Sequence, residues 1–200
     1  MNQNKVEIDS ICKYHNIIDY TINDDGSIDV DGSVDLPGAI ITSDKITKLP
    51  LTFNKISGDF VCCYNNITSL EGSPRIVGGD FDCSSNYLTS LIGGPITVGG
   101  AYFCGSNKLS TLEGSPREVG GGFFCGFNYL TSLKGISTEI GDGIIFNNNL
   151  LHPFYDTIYD EIGNDILVFI KYMDHYDVFN PVFYEPYALD LIEEIKDGLK

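Results

Sequence analysis

The sequence predicts a short β-solenoid, a curved parallel sheet of stacked coils with a non-helical outer side and a cap at each end. Three observations carry this. A 21-residue period runs without a gap through the middle of the chain, each period holds one short apolar alternation, and the acidic charge gathers outside it.

The period appears when VGGDFDCSSNYLTSLIGGP (77–95) is set above VGGAYFCGSNKLSTLEGSP (98–116) and VGGGFFCGFNYLTSLKGIS (119–137), because nearly every column agrees. Cysteine recurs at Cys62, Cys83, Cys104 and Cys125, followed by Phe146. Asparagine recurs at Asn65, Asn86, Asn107, Asn128 and Asn149, and leucine at Leu70, Leu91, Leu112 and Leu133. Self-similarity at such a period marks an array whose units cannot bury an apolar edge alone and must stack.

Within a coil, Phe81, Cys83, Asn86, Leu88 and Leu91 follow FxCxxNxLxxL. The alternation of Phe81 and Cys83 places both on one face of a short strand, and stacking sets neighbouring strands about 4.8 Å apart. The asparagine column then forms a ladder whose amides satisfy backbone groups at a buried bend. Cys62, Cys83, Cys104 and Cys125 read as a ladder of small hydrophobes. A row of thiols at strand spacing does not converge as a tetrahedral zinc site requires, so neither a metal nor a cofactor is expected. Glycine pairs such as Gly99 and Gly100 precede each strand, where close backbone approach tolerates no side chain. They are not a phosphate loop, since no Gly-Lys-Ser/Thr tripeptide occurs. The return segments EGSPRIV and EGSPREV contain Pro and Gly and are too short for a helix, so the outer side is expected to be extended or irregular.

The consensus xxFxCxxNxLxxL resembles that of leucine-rich repeats, with Phe and Cys in place of two leucines. The wording TSLEGSPxxVGGxFxCxxN, preceded by TINDDGSIDVDGSVDL and ITKLPLTFNKISGDF, is similar to repeat proteins encoded by tailed bacteriophages over roughly residues 20–150. That resemblance implies the fold and a viral origin, and no particular activity. The pattern departs at its edges, with Asp44 at the ladder position, Phe53 and Ser137 at the proline position, and Asp142 at the second glycine.

Charge divides the chain in three. Residues 1–44 hold nine acids and two bases, 45–149 eight and seven, and 150–200 eleven and three, giving −7, −1 and −8 of the total −16. The ends read as an acidic N-terminal cap (1–44), the repeats as 45–149, and an acidic helical C-terminal cap as 150–200. Residues 5–20 are expected to hold a short helix, and IDVDGSVDL (28–36) a hairpin or capping strands around Gly32. Residues 165–176 and 187–199 have helical periodicity.

This charge argues against direct nucleic-acid binding, which draws on clustered Lys and Arg. No stretch approaches the roughly 18 apolar residues of a membrane span, and MNQNKVEID lacks a signal-peptide pattern. The expectation is a cytoplasmic protein, in the host cytoplasm if viral, with free thiols. SIDVDGSVDLPG partly imitates a calcium loop but has Ser27 first and Gly38 last, so alternating acids on a solvent face are the simpler account. Cys63 faces away from Cys62 and is expected to be an exposed thiol. His15, His152 and His175 lie outside the regular repeats, His175 between Asp174 and Asp177, and none sits in a catalytic arrangement; no catalytic residue is assigned.

The strand's other face remains. Val61, Asp82, Phe103, Phe124 and Ile145 alternate with the ladder and line the inner surface, flanked by Tyr64 and Phe127. Exposed aromatics of this kind anchor protein contacts, whereas a cap folded over them would be merely structural. The leading expectation is a non-enzymatic module that binds or inhibits a host protein. The alternatives are an acidic mimic of DNA, a virion or self-assembling homo-oligomer joined through open solenoid ends, and a small-metabolite binder.

Overall fold

The computed structural model describes residues 5–36, 38, 45–137, 139–173, 175, 176, 178 and 184–200. The expected ladder substitute Asp44 and the acids Asp174 and Asp177 beside His175 lie outside these. A parallel β-solenoid is what the chain forms, and each regular coil contributes two short strands to two separate sheets. After α1 (Lys5–Tyr14), the strands are β1 (Tyr20–Ile22), β2 (Ile28–Val30), β3 (Val34–Asp35), β4 (Phe53–Ile56), β5 (Phe60–Val61), β6 (Ile76–Val77) and β7 (Phe81–Asp82). They continue as β8 (Thr97–Val98), β9 (Tyr102–Phe103), β10 (Glu118–Val119), β11 (Phe123–Phe124), β12 (Glu139–Ile140) and β13 (Ile144–Ile145). One sheet runs β1-β2-β4-β6-β8-β10-β12 and the other β13-β11-β9-β7-β5-β3.

The 21-residue period is the register itself. Ile76 pairs with Thr97, and Thr97 with Glu118. In the second sheet Phe81 pairs with Tyr102, and Tyr102 with Phe123. Between the sheets the chain turns at the glycine pair, where stacking leaves no room for a side chain. A Cβ on Gly99 would collide with the Gly78 carbonyl oxygen, and one on Gly120 with that of Gly99. The third side of the coil carries no strand but turns its Leu88 and Leu91 inward.

Inside, Phe60, Phe81, Tyr102 and Phe123 stack as a column, with ring centroids 5.5, 5.3 and 5.1 Å apart. Cys62, Cys83, Cys104 and Cys125 are buried beside them. The asparagines couple successive coils. Asn107 Oδ1 accepts the Leu88 amide at 3.0 Å from the preceding coil, while its Nδ2 donates to the carbonyls of Cys83 (3.0 Å), Cys104 and Gly105 (both 3.2 Å). Asn86 and Asn128 repeat the arrangement. Each side chain therefore replaces a backbone partner that the bend cannot provide.

The ends differ from the middle. Helix α1 buries Ile8 and Cys12 on the first coil, and the Tyr20 hydroxyl donates to Asp9 at 2.6 Å. The hairpin of this region joins β1 to β2 across the 23–27 loop, with Tyr20 opposite Val30. The 28–36 segment does not fold on itself. Its two halves, β2 and β3, supply the first parallel rungs of the two sheets, beside β4 and β5. The first step, Val34 to Phe60, spans 26 positions instead of 21. The C-terminal segment folds as α2 (Phe154–Ile162), a 3-10 turn (Gly163–Asp165), α3 (Ile166–Tyr172) and α4 (Glu185–Lys196). Phe154, Tyr155 and Ile158 of α2 and Leu191, Ile192 and Ile195 of α4 are buried, and Lys196 Nζ reaches Glu161 at 2.7 Å to tie α4 to α2.

Candidate interaction surface

In the second sheet, every side chain pointing away from the core lies in one register column: Asp35, Val61, Asp82, Phe103, Phe124 and Ile145. The column passes from acid at the N-terminal end to apolar at the C-terminal end. Val61, Asp82, Phe103 and Phe124 are half-buried and Ile145 is exposed. The Phe103 and Phe124 rings lie parallel, 4.6 Å apart and 10° from coplanar. Both rings keep partial access to solvent, so among the described residues no cap seals this pair.

Tyr64 and Phe127 flank the column at the bend and are 48% and 59% exposed. Both take a left-handed backbone conformation, with φ of 55° and 57°, and so do Ser85, Ser106 and Asn148 at the equivalent positions. Asparagine suits that conformation; a bulky aromatic does not, and holding one there costs roughly 1 kcal/mol. Folding gains nothing from an exposed aromatic ring at such a site, which makes these two positions informative.

A second exposed column was not foreseen. One residue beyond each ladder asparagine stand Tyr87, Lys108, Tyr129 and Leu150, with Tyr129 54% and Leu150 63% exposed. Lys108 Nζ sits 4.7 Å from the Tyr87 ring centroid. Its sequence signal was available: the residues on both sides of a buried asparagine must point outward. Phe127 and Tyr129 therefore project on either side of the buried Asn128 and make this bend an exposed aromatic corner.

The polar groups of the surface are tied down. The Asp82 carboxylate accepts the Ser84 amide at 2.8 Å and its hydroxyl at 2.6 Å. Cys63 is half-buried, not the exposed thiol expected from alternation. Burial, reinforced by the Asp82 charge, pushes its pKa up to about 12, so it is a poor nucleophile near neutrality. Burial likewise raises the thiols of the ladder cysteines Cys62, Cys83, Cys104 and Cys125.

Elsewhere, chemistry-bearing residues serve the scaffold. In the calcium-like segment, Asp29 accepts from the amides of Asn23 (3.3 Å) and Asn54 (2.7 Å), and Asp31 from the Ser57 hydroxyl (2.8 Å). His152 Nδ1 accepts the Phe154 amide at the start of α2, and His15 and His175 lie on separate elements beside Tyr14 and Tyr176. Among the described residues, no three His, Cys, Asp or Glu side chains gather as a metal site would need, and no helix is long and apolar enough to cross a membrane.

Compared with protein-family models, curated proteins and solved structures, the chain matches none of them.

Proposed function

We propose that this chain is a non-enzymatic protein-interaction module that holds its partner on the outward face of the second sheet. One observation carries the reading: the stacked, solvent-accessible Phe103–Phe124 pair, with an exposed Phe127 on the same coil as Phe124 kept in a conformation unfavourable for its bulk. Flat aromatic clusters are what protein interfaces use as anchors, since they bury large area with little loss of side-chain freedom. Tyr129 adds an exposed ring on the far side of Asn128, and Val61 and Tyr64 lie further toward the N-terminal end, separated from the pair by the Asp82 coil. The likeness of the repeat wording to tailed-bacteriophage proteins supports a bacterial host protein as the partner, bound in the host cytoplasm and inhibited or redirected there.

The test compares the wild-type chain with Phe103→Ser/Phe124→Ser, first by circular dichroism and urea unfolding to establish that both fold. Each is then used to capture proteins from bacterial lysate at low salt and at about 0.5 M, where charge attraction is strongly screened. A single protein retained at both salt concentrations by the wild type and lost by the variant supports the reading. Equal retention by both overturns it. The −16 charge favours one competing reading, an acidic mimic of DNA. That reading requires nucleic-acid-binding proteins that the variant retains and that salt releases.

A further inference from the structure

We propose that the free edge of β13 is a strand-addition site for an extended, basic segment of a separate polypeptide. In the second sheet every rung donates amides to the next. Tyr102 and Cys104 donate to the carbonyls of Gly122 and Phe124, both at 2.9 Å, and Phe123 and Cys125 donate to those of Gly143 and Ile145, at 3.0 and 2.8 Å. The amides of Ile144 and Phe146 occupy the same positions one coil later, and β13 is the last strand in the order. They face the place of a further rung, and among the described residues no strand occupies it. Such an edge is a template for another chain unless it is blocked.

Helix α2 packs on the last coil, where the Phe146 ring meets those of Tyr155 and Tyr159, but among the described residues no strand pairs with the outer edge of β13. Helix α2 stands off from it across a groove of about 320 Å³, with residues 144–147 on one wall and Asp156, Tyr159 and Asp160 on the other. The far wall is anchored where the Tyr159 ring meets that of Phe146 edge-on, 5.8 Å between centroids. An added strand lies about 4.8 Å from its neighbour, with alternate side chains on opposite faces. One set of those side chains falls beside Ile145, 49% exposed, and the backbone lies along the helix wall.

Charge selects the occupant. Asp156 and Asp160 are one helical turn apart, on the same face of α2, and both are exposed. Among the described residues no basic side chain lines the groove, so a lysine or arginine of the incoming strand finds two carboxylates to pair with. A second copy of the chain fits poorly. Of the two edges it offers in this sheet, β3 carries the exposed Asp35 and β13 faces the same acidic helix wall, and each copy brings a net charge of −16.

The experiment titrates a fluorescein-labelled peptide of alternating valine and lysine, about six residues long, into the full chain and reads anisotropy. Saturable binding is expected. It should be lost when alternate peptide amides are N-methylated on the pairing edge, and weakened about tenfold by Asp156→Asn/Asp160→Asn, a surface change that leaves the core intact. Hydrogen exchange should show new protection at the Ile144 and Phe146 amides. Phe103→Ser/Phe124→Ser should bind the peptide like the wild type, which separates this site from the aromatic surface above. Absence of saturable binding, equal binding of the N-methylated peptide, or protection confined to other segments would overturn the proposal. So would protection of the same two amides at high protein concentration without peptide, together with a dimer in sedimentation, which would make a second copy the occupant.

Discussion

The two faces of the second sheet share one backbone and obey different rules. Inward, Phe60, Phe81, Tyr102 and Phe123 are nearly the same residue four times, followed each time by cysteine. Outward, the same strands carry Val61, Asp82, Phe103 and Phe124, of which only the last two agree. Packing explains the first: coils held in one register offer each inward side chain the same space, so the same shape recurs. The outward column is under no such constraint. Its drift from acid to aromatic along the axis is therefore where a function can be written without disturbing the fold.

The largest effect expected from this division is on the pH dependence of stability. The inward thiols of Cys62, Cys83, Cys104 and Cys125 are all raised by burial, Cys125 to about 12. In the unfolded chain a thiol ionises near 8.5. Below that value both states hold the proton and the thiols add no pH dependence. Above it the unfolded chain loses protons that the folded chain keeps, so stability falls as pH rises toward the folded-state values, by up to about 1.4 kcal/mol per pH unit for each thiol. Urea unfolding between pH 7 and pH 10 should show a steep loss, shallower in Cys104→Ala, whereas the exposed change Lys108→Ala should leave the slope nearly unchanged. A flat profile would mean the ladder is not buried.

Next in size is the contrast between adjacent positions on β11. Phe123→Ala opens a cavity in the inward column and should cost about 3–5 kcal/mol, while Phe124→Ala, half-buried against Phe103, should cost about 1 kcal/mol. Chemical denaturation of the two variants measures the ratio. Costs within a factor of two of each other would show that the outward rings also belong to the core.

A similar contrast, somewhat smaller, holds at the bend. Asn107→Ala leaves the buried Leu88 amide without its acceptor and removes one of two side-chain amide donors from each of the Cys83 and Cys104 carbonyls, which keep Asn86 and Asn128; it should cost about 2–3 kcal/mol, whereas its exposed neighbour Lys108→Ala should change stability by less than about 0.5 kcal/mol. The inward part of this design was legible in the sequence, because constancy at a fixed period reports a shared environment: the Cys and Asn ladders and the glycine approach all follow from it. The other sheet was not legible. Its rungs, such as Thr97–Val98 and Glu118–Val119, are two residues long and show only one inward valine each, too little for an alternation. Helix α2 did carry a signal, with Phe154, Tyr155 and Ile158 at helical spacing after Pro153, though their short span just past the last coil reads equally as repeat. Of the two readings of 28–36, a hairpin or capping strands, the strands form without the hairpin, because Gly32 turns the chain from one sheet into the other, a three-dimensional role that local pattern does not distinguish from a tight turn. The outward columns were half legible. Alternation placed Phe103 and Phe124, but Tyr87 and Tyr129 required knowing that the asparagine between two exposed residues points inward.

The smallest expected effect separates stability from function most cleanly. Phe127 holds a φ of 57° with its ring 59% exposed. Phe127→Gly removes the clash between Cβ and backbone that disfavours this conformation, though it also frees the unfolded chain, so the net change should lie between zero and about 1 kcal/mol in favour of the variant. Ser106→Gly, at the equivalent site one coil earlier, should give the same change without touching the aromatic corner. If the corner contacts a partner, Phe127→Gly lowers affinity while leaving the fold as stable or more so, and Ser106→Gly leaves affinity alone. Paired unfolding and binding measurements on the two variants decide the matter. Equal affinity in both would place the contact away from Phe127, and a clear loss of stability in Phe127→Gly would mean that its ring packs against the scaffold after all.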